Sequence, residues 1–202
     1  GSTSVDPGAL AGIEGEVATL KRLQRLPDDY RIVNRVRLPD PRLPNGEREL
    51  DFVVAGPSGL WVIEVKNTPG LVQVVGGARH WPLSKRSGCS SCPGWNAMAN
   101  PEPQVRDQLD ALKRWLLMNG VAAEPRGVIC LAHPEVAIRD ADRAAYPVRV
   151  PDQLVETISG PLDGTVEGSR AATSASGAPA ADPASLTPLL EALRDGRLDA
   201  AA

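Results

Sequence analysis

The chain has 202 residues, 42% of them hydrophobic and 3% aromatic, enough for one domain of ordinary size with a core of Val, Leu and Ala. Its 22 Lys and Arg against 25 Asp and Glu give a net charge of -3, which argues against a protein that coats nucleic acid through overall charge but leaves room for a local basic patch. No run of 18 apolar residues predicts a transmembrane helix, and the first four residues lack the features of a signal peptide. Three cysteines form no disulfide framework, so a cytoplasmic location is expected.

The N-terminal part of the chain predicts a helix followed by a strand. Residues 9–26 carry apolar side chains at helical spacing. The stripe expected to face the core is Leu10, Ile13, Val17, Leu20 and Leu23. Residues 31–38 alternate as a strand does, with Ile32, Asn34 and Val36 on one face. A proline-rich loop then leads to the next element.

Two further strands form a predicted β-hairpin. They span residues 49–55 and 60–66, and the turn between them, Gly56-Pro57-Ser58-Gly59, has the residue types that tight turns need. We expect Ala55 to face Leu60, which sets the register of the whole pair.

This register brings charged side chains together. It places Asp51 opposite Glu64, about 5 Å apart at Cβ, where like charges repel, and it puts Lys66 on the same face as Glu64. Apolar neighbours on both faces indicate that the acids stand where the sheet is largely covered. Such a set stabilises a sheet poorly but suits a divalent cation and a polarised water molecule. The other interpretation is a solvent-facing polar side on which Lys66 bridges to an acid.

Beyond the hairpin, we predict a short strand at 71–75 and a long loop at 76–99, where no periodicity is visible. A second helix begins at Asn100 and ends at Gly120. Its core stripe is Val105, Leu109, Leu112 and Leu116.

The C-terminal half completes the predicted fold. Residues 127–132 are an apolar run typical of a strand buried on both faces, and 148–150 are a further strand. The element order indicates an α/β domain with a mixed central sheet flanked by helices. We divide the chain into a disordered terminus or expression scar at 1–8, a domain at 9–158, a flexible linker rich in Gly, Ser, Ala and Pro at 159–184, and a C-terminal helix at 185–202.

Four short motifs are informative as a set. They are Gly12-Ile13-Glu14-Gly15-Glu16, Glu49-Leu50-Asp51, Val62-Ile63-Glu64-Val65-Lys66-Asn67 and Asn100-Pro101-Glu102-Pro103-Gln104. Their order and spacing over residues 8–155 resemble the nuclease-related domain (NERD) family of the PD-(D/E)xK nuclease superfamily, whereas one motif alone is a weak signal. This chain departs from the superfamily pattern at one position, because Leu50 rather than a proline directly precedes Asp51. The acid itself is present. The resemblance implies a restriction-endonuclease-like fold and Mg²⁺-dependent cleavage of DNA.

The resemblance also implies roles for the hairpin residues. Asp51 and Glu64, with the backbone carbonyl of Val65, would bind Mg²⁺ or Mn²⁺. Lys66 would orient or deprotonate the attacking water, or stabilise the charge that develops on the phosphate.

Two residues outside the hairpin match the same family pattern. Glu16 would be a third acidic metal ligand or a residue that supports the ligands, although an acid in the first helix can also simply complement the helix dipole. Gln104 would hydrogen-bond the attacking water, a phosphate or Lys66, the alternative being a surface amide. Gln108, one turn later, is more simply explained as a surface amide of the helix.

The predicted loop at 76–99 carries the candidate contacts to nucleic-acid phosphates, against the plain interpretation of a solvated charged face. Trp81 and Trp95 could stack on bases or pack the loop down. The candidate phosphate contacts are Arg79, His80, Lys85 and Arg86.

The cysteines give no definite site. Cys89 and Cys92 have the spacing of half a zinc site, but no second pair exists. A metal site, a redox-labile disulfide and plain loop cysteines all stay open. Cys130 lies in the predicted buried strand and is expected to be inert.

The sequence therefore predicts a metal-dependent endonuclease that acts on DNA, with RNA as an alternative substrate. Low sequence specificity is expected because no groove-reading module is visible. A homodimer or a larger multidomain context is left open. The alternatives are a catalytically weak or inactive nucleic-acid-binding or regulatory module with the same fold, and a scaffold whose acids hold a structural cation.

Overall fold

The structure, a computed structural model, describes residues 6–84 and 95–160. Predictions that concern Lys85, Arg86, Cys89, Cys92, the linker after Gly160 and the C-terminal helix lie outside the described residues. The elements in chain order are α1 (Pro7–Leu23), β1 (Arg31–Pro39), β2 (Glu47–Gly56), β3 (Gly59–Lys66), β4 (Gly70–Gln73), β5 (His80–Ser84), β6 (Trp95–Ala99), α2 (Glu102–Met118), β7 (Arg126–Leu131), β8 (Val136–Arg139), β9 (Val148–Arg149) and α3 (Leu154–Ser159).

Two sheets organise the described residues. The central sheet has the order β1-β2-β3-β7-β9, in which β1, β2 and β3 are antiparallel while β7 runs parallel to both β3 and β9. The second sheet has the order β6-β5-β4-β8. Helices cover the central sheet, so the predicted α/β class with a mixed, restriction-endonuclease-like sheet is confirmed.

Each face of the central sheet has its own core. On one face, α2 contributes Leu112 and Leu116 to a cluster that includes Val53 and Val62. On the other face, α1 and α3 pack against a cluster that includes Phe52, Ile63 and Cys130. Burial on both faces explains why β7 reads as a continuous apolar run.

The region predicted as a long loop holds two strands instead. β5 and β6 pair with each other, and β5 also pairs with β4. Trp81 and Leu83 alternate inward and are 0% and 4% exposed, so Trp81 packs in the core and the base-stacking alternative for it is wrong. A strand of five residues with Pro82 at its centre carries too little alternation to be recognised among the surrounding glycines.

The predicted core stripe of α1 is wrong in its N-terminal half. Leu10, Ile13 and Val17 are 45–48% exposed, and the helix begins at Pro7, two residues earlier than predicted. The side that meets the sheet consists of Gly15, Thr19 and Leu23, spaced by one helical turn. Gly15 and Thr19 are small because α1 lies close to the sheet at this end, and an apolar periodicity cannot identify such a face.

The predicted alternation of β1 is also wrong at one point. Val33 and Val36 are both buried in the core on the α2 side, although they are three residues apart. Arg35 between them has a φ of +53°, and this left-handed conformation reverses the alternation.

The second helix and the following strand agree with prediction. α2 buries Val105, Leu112 and Leu116 and ends at Met118, with Asn119 as its C-cap and Gly120 at a φ of +74°. The strand β8 was not predicted, since four residues carry almost no pattern. Among the described residues, no helix combines the length and the apolar character needed to cross a membrane.

Candidate active site

The hairpin of β2 and β3 has the predicted register, with Val53 opposite Val62 and Ala55 opposite Leu60. The ladder stops at the pair Phe52 and Ile63, one position before the two acids. The Asp51 carboxylate instead accepts a hydrogen bond from the backbone N–H of Val65, 2.7 Å from Oδ2. The strands therefore diverge where the acids lie.

A kink in β2 accompanies this divergence. Leu50 and Val53 both lie in the core on the α2 side, although regular alternation would separate residues three apart. The reversal falls beside Asp51, level with the left-handed Arg35 of β1. Asp51 consequently stands between the two faces of the sheet.

Glu64 is a buried carboxylate with both oxygens engaged. Its side chain is 1% exposed. Oε1 accepts a hydrogen bond from Lys66 Nζ at 2.5 Å, and Oε2 accepts one from Gln108 Nε2 at 2.6 Å. A carboxylate at this depth requires such partners, because burial of an unpaired charge is very costly.

Lys66 connects this interior group to the surface. Its Nζ also donates to Gln104 Oε1 at 3.0 Å, and 30% of the lysine side chain is exposed. Gln104 itself is exposed at the start of α2. The ammonium group thus lies at the boundary between the buried carboxylate and solvent, where a phosphate group could reach it.

Asp51 has an unusual acidity. Burial raises its pKa to about 7, with the charge of Glu64 as the next cause, while the Val65 amide and Lys66 act in the opposite direction. The charge of Glu16 adds a smaller upward effect on this pKa. The charges of Glu64 and Glu16 therefore both act on Asp51. Glu64 lies on the α2 side of the site, and Glu16 lies on the α1 side.

Glu16 is placed near the site but is already paired. Its Oε2 accepts a hydrogen bond from Arg35 Nε at 3.0 Å. The same contact raises the pKa of Arg35. Glu16 thus holds an arginine beside Asp51 through Oε2, and a direct role as metal ligand would use its other carboxylate oxygen, Oε1.

Comparison with known proteins supports a family assignment at this point. A family model described as "Nuclease-related domain" matches residues 11–132, which is 122 of the 202 residues in the chain. The chain belongs to the nuclease-related domain family. No curated protein and no solved structure gave a match.

In the glycine-containing motif of this nuclease-related domain, Gly15 is required by the close packing of α1 against the end of β3. A Cβ on Gly15 would lie 2.7 Å from Asn67 Cβ, so glycine lets α1 approach the end of β3. Asn67 Nδ2 donates to the carbonyl of Ala11 at 2.6 Å and ties the same two elements together. Because Glu16 follows Gly15 directly, this close approach also sets the position of Glu16 beside the site.

Gln108 is the residue that sequence reasoning missed. It was expected at the helix surface, but it is 0% exposed and contacts Glu64. A signal was present, since Gln104 and Gln108 are one turn apart on the same stripe of α2. Pattern alone could not show that this stripe turns inward beyond the first turn of the helix.

The donor set of the nuclease-related domain would suit a hydrated Mg²⁺ or Mn²⁺. Asp51, Glu64 and the Val65 carbonyl offer only oxygen atoms, which these cations prefer. Gln108 Oε1 is buried with no hydrogen-bond partner among the described residues, and a water molecule could satisfy it. Within the same residues, no group of three or more His, Cys, Asp or Glu is arranged to hold a metal. Mg²⁺ retains several waters, so two carboxylates can suffice.

The remaining sequence candidates lie outside this cluster. Arg79 and His80 are exposed at the beginning of β5. Cys130 is buried and free, and burial raises its pKa to about 12, which agrees with the prediction of an inert thiol.

Proposed function

We propose that this chain is a metal-dependent nuclease that hydrolyses phosphodiester bonds of DNA with low sequence specificity, using Mg²⁺ or Mn²⁺. The main support is the state of the two hairpin acids. Glu64 is buried between Lys66 and Gln108, and beside it the pKa of Asp51 is raised to about 7. A scaffold selected for stability alone has no need of such a set, whereas a site for a divalent cation does.

Each residue contributes a separate function in this proposal. Asp51 and Glu64 would hold the cation, with Gln108 fixing the Glu64 carboxylate. Lys66 would donate its third N–H to the phosphate or to the attacking water, because Glu64 and Gln104 accept the other two and hold the ammonium group at the solvent boundary. The bound cation would act as a Lewis acid toward the phosphate. Membership in the nuclease-related domain family supports this class of reaction.

The direct test is the conversion of supercoiled plasmid to nicked circles by the full chain. We expect nicking with Mg²⁺ or Mn²⁺, none with EDTA, and a loss of at least about a hundredfold in rate for Asp51→Asn or Lys66→Met. A labelled RNA of matched length, incubated in parallel, decides between the two nucleic acids.

The matched control is Lys113→Met. Lys113 pairs with Glu124 on the surface, where the two side chains are 44% and 77% exposed, so its loss should leave the nicking rate unchanged. Binding of DNA without nicking under any metal condition would favour the alternative of a catalytically inactive binding or regulatory module. A cation that raises the melting temperature of a protein with no affinity for DNA would favour the structural-cation scaffold.

A further inference from the structure

A second polar feature adjoins the start of α2. An open groove of about 930 Å³ runs between the β4–β5 connection, the first turns of α2 and the segment that precedes β9. Three arginines line it, each from a different one of these segments. They are Arg79, Arg106 and Arg143.

The charges of this groove do not cancel. Within residues 6–84 and 95–160, none of the three arginines has an acid within salt-bridge distance, in contrast to Arg35, Arg37 and Arg48 of β1 and β2. Two acids also line the groove. Asp142 is exposed, and Glu102 is buried with both oxygens accepting hydrogen bonds, from the Asn100 side chain and from the Ala145 amide.

The groove is held in shape by polar contacts. The Asn100 side chain donates through Nδ2 to the carbonyl of Ala78 at 2.7 Å. The backbone N–H of Asn100 donates to the carbonyl of Arg79 at 3.1 Å. Asn100 and Glu102 thereby tie Arg79 and the Ala145 segment to the start of α2.

A glycine allows the opposite walls to meet. A Cβ on Gly76 would lie 2.3 Å from the carbonyl oxygen of Arg143, so only glycine permits this approach. The backbone that carries the arginines is thus fixed by contacts, as a binding site requires.

The same helix start carries the candidate active site. Gln104, which accepts from Lys66, and Arg106 are two residues apart in the first turns of α2, so they project to different sides of one helix end. A chain of phosphates that crosses this helix end would meet Lys66 on one side and the arginines on the other. Guanidinium groups on separate walls of an open groove suit successive phosphates of a strand better than one small anion.

We propose that this groove, through Arg79, Arg106 and Arg143, binds the phosphate backbone of the nucleic-acid strand that extends from the active site. The inference rests on the proposed nuclease function for its choice of ligand. Of the basic residues selected from the sequence, it retains Arg79, and it adds Arg106 and Arg143, which come from distant parts of the chain.

The test is the binding of a labelled single-stranded and a labelled duplex DNA by the full chain in EDTA, followed by fluorescence anisotropy between about 50 and 200 mM salt. Arg106→Ala and Arg143→Ala should each weaken binding about three- to tenfold at low salt. Each should also reduce the slope of log affinity against log salt by about 0.7 for the single strand or about 0.9 for the duplex. Whichever DNA shows the larger effect is the form that the groove holds.

Two further variants serve as controls, one for loss of folding and one for the loss of an arginine outside the groove. Asp142→Asn removes the exposed acid of the groove and should strengthen binding about two- to threefold, a gain that unfolding cannot produce. Arg25→Ala removes an exposed arginine that follows α1 and does not line the groove, and it should leave the slope unchanged.

The two proposals fail separately. Binding that weakens as expected in the arginine variants, by a protein that never nicks DNA, upholds the groove and refutes the nuclease. Normal nicking with unchanged slopes in Arg106→Ala and Arg143→Ala refutes the groove and leaves the nuclease standing.

Discussion

Gln108 donates a hydrogen bond of 2.6 Å to Oε2 of Glu64, and neither side chain has more than 1% of its surface exposed. The contact joins the second helix to the third strand beneath the candidate metal site. It leaves Glu64 with one fixed orientation, because Lys66 holds the other oxygen. The strength of cation binding should therefore depend on a helix residue that would not itself touch the cation.

Replacement of Gln108 by Leu tests this dependence. We expect the Mg²⁺ concentration for half-maximal nicking to rise about 10- to 100-fold, as is usual when a residue that orients a metal ligand is lost. Gln108→Glu should be worse, since it places another carboxylate directly beside the buried Glu64. The exposed Gln104→Leu is the control on the same stripe, and it should alter the maximal rate more than the Mg²⁺ requirement. Equal Mg²⁺ requirements in Gln108→Leu and wild type would contradict the orienting role.

The pKa of Asp51 predicts how stability depends on pH without metal. Its folded-state pKa of about 7 lies above the ordinary value of 3.8, so the folded protein binds this proton more tightly than the unfolded chain does. The contribution of Asp51 to stability is therefore complete below about pH 4 and is lost as the pH rises toward 7.

Asp51→Asn should remove this loss of folding stability at neutral and alkaline pH. We expect the variant to be more stable than wild type by about 1–2 kcal/mol at pH 8 in EDTA, with a smaller difference near pH 4. Urea unfolding at several pH values measures it, and the exposed Asp29→Asn serves as the control. A variant that is less stable than wild type at pH 8 would mean that Asp51 is not under electrostatic strain.

Binding of a divalent cation should offset the electrostatic destabilisation that the charged Asp51 causes in the folded protein. If Asp51 and Glu64 bind Mg²⁺, the cation stabilises only the folded chain, by about 2.7 kcal/mol at one hundred times its dissociation constant. The affinity should rise up to about tenfold per pH unit below pH 7, because Asp51 must release its proton.

Thermal unfolding with a Mg²⁺ titration at two pH values measures both effects. Asp51→Asn should show neither of them, while Lys113→Met should show both. A melting temperature that is insensitive to Mg²⁺ and Mn²⁺ in wild type would count against a metal site.

The two glycines of the α1 motif should respond in opposite ways to alanine. Gly15→Ala would place Cβ 2.7 Å from Asn67 Cβ, which we expect to cost about 1–3 kcal/mol of stability and to slow nicking by displacing Glu16. Gly12 has nothing within 4 Å of the corresponding Cβ position, so Gly12→Ala should stabilise the helix by about 0.5–1 kcal/mol. Urea unfolding of the pair is decisive, since both sites lie on one helix. A neutral Gly15→Ala would show that the helix is free to move away from β3.

The longer helices and strands were predictable from the sequence, because their residue patterns extend over many positions or depend only on neighbouring residues. The Gly-Pro-Ser-Gly turn and the alternating residues around it specify the hairpin register, and the apolar periodicity of α2 specifies its buried face. Lys66 beside Glu64 also follows from strand geometry alone. The short strands β5, β6 and β8 escaped prediction, because few residues carry each pattern and partners distant in the sequence stabilise them.

By itself, the amino-acid sequence determined the hairpin that carries Asp51, Glu64 and Lys66, because strand alternation and turn chemistry act over neighbouring residues. Only the tertiary structure decided that Gln108 turns inward to Glu64, that Arg35 holds Glu16, and that Arg79, Arg106 and Arg143 line one groove. These arrangements bring together residues 19 to 64 positions apart in the sequence. They depend on how closely the helices approach the sheet, and side-chain packing between elements sets that distance.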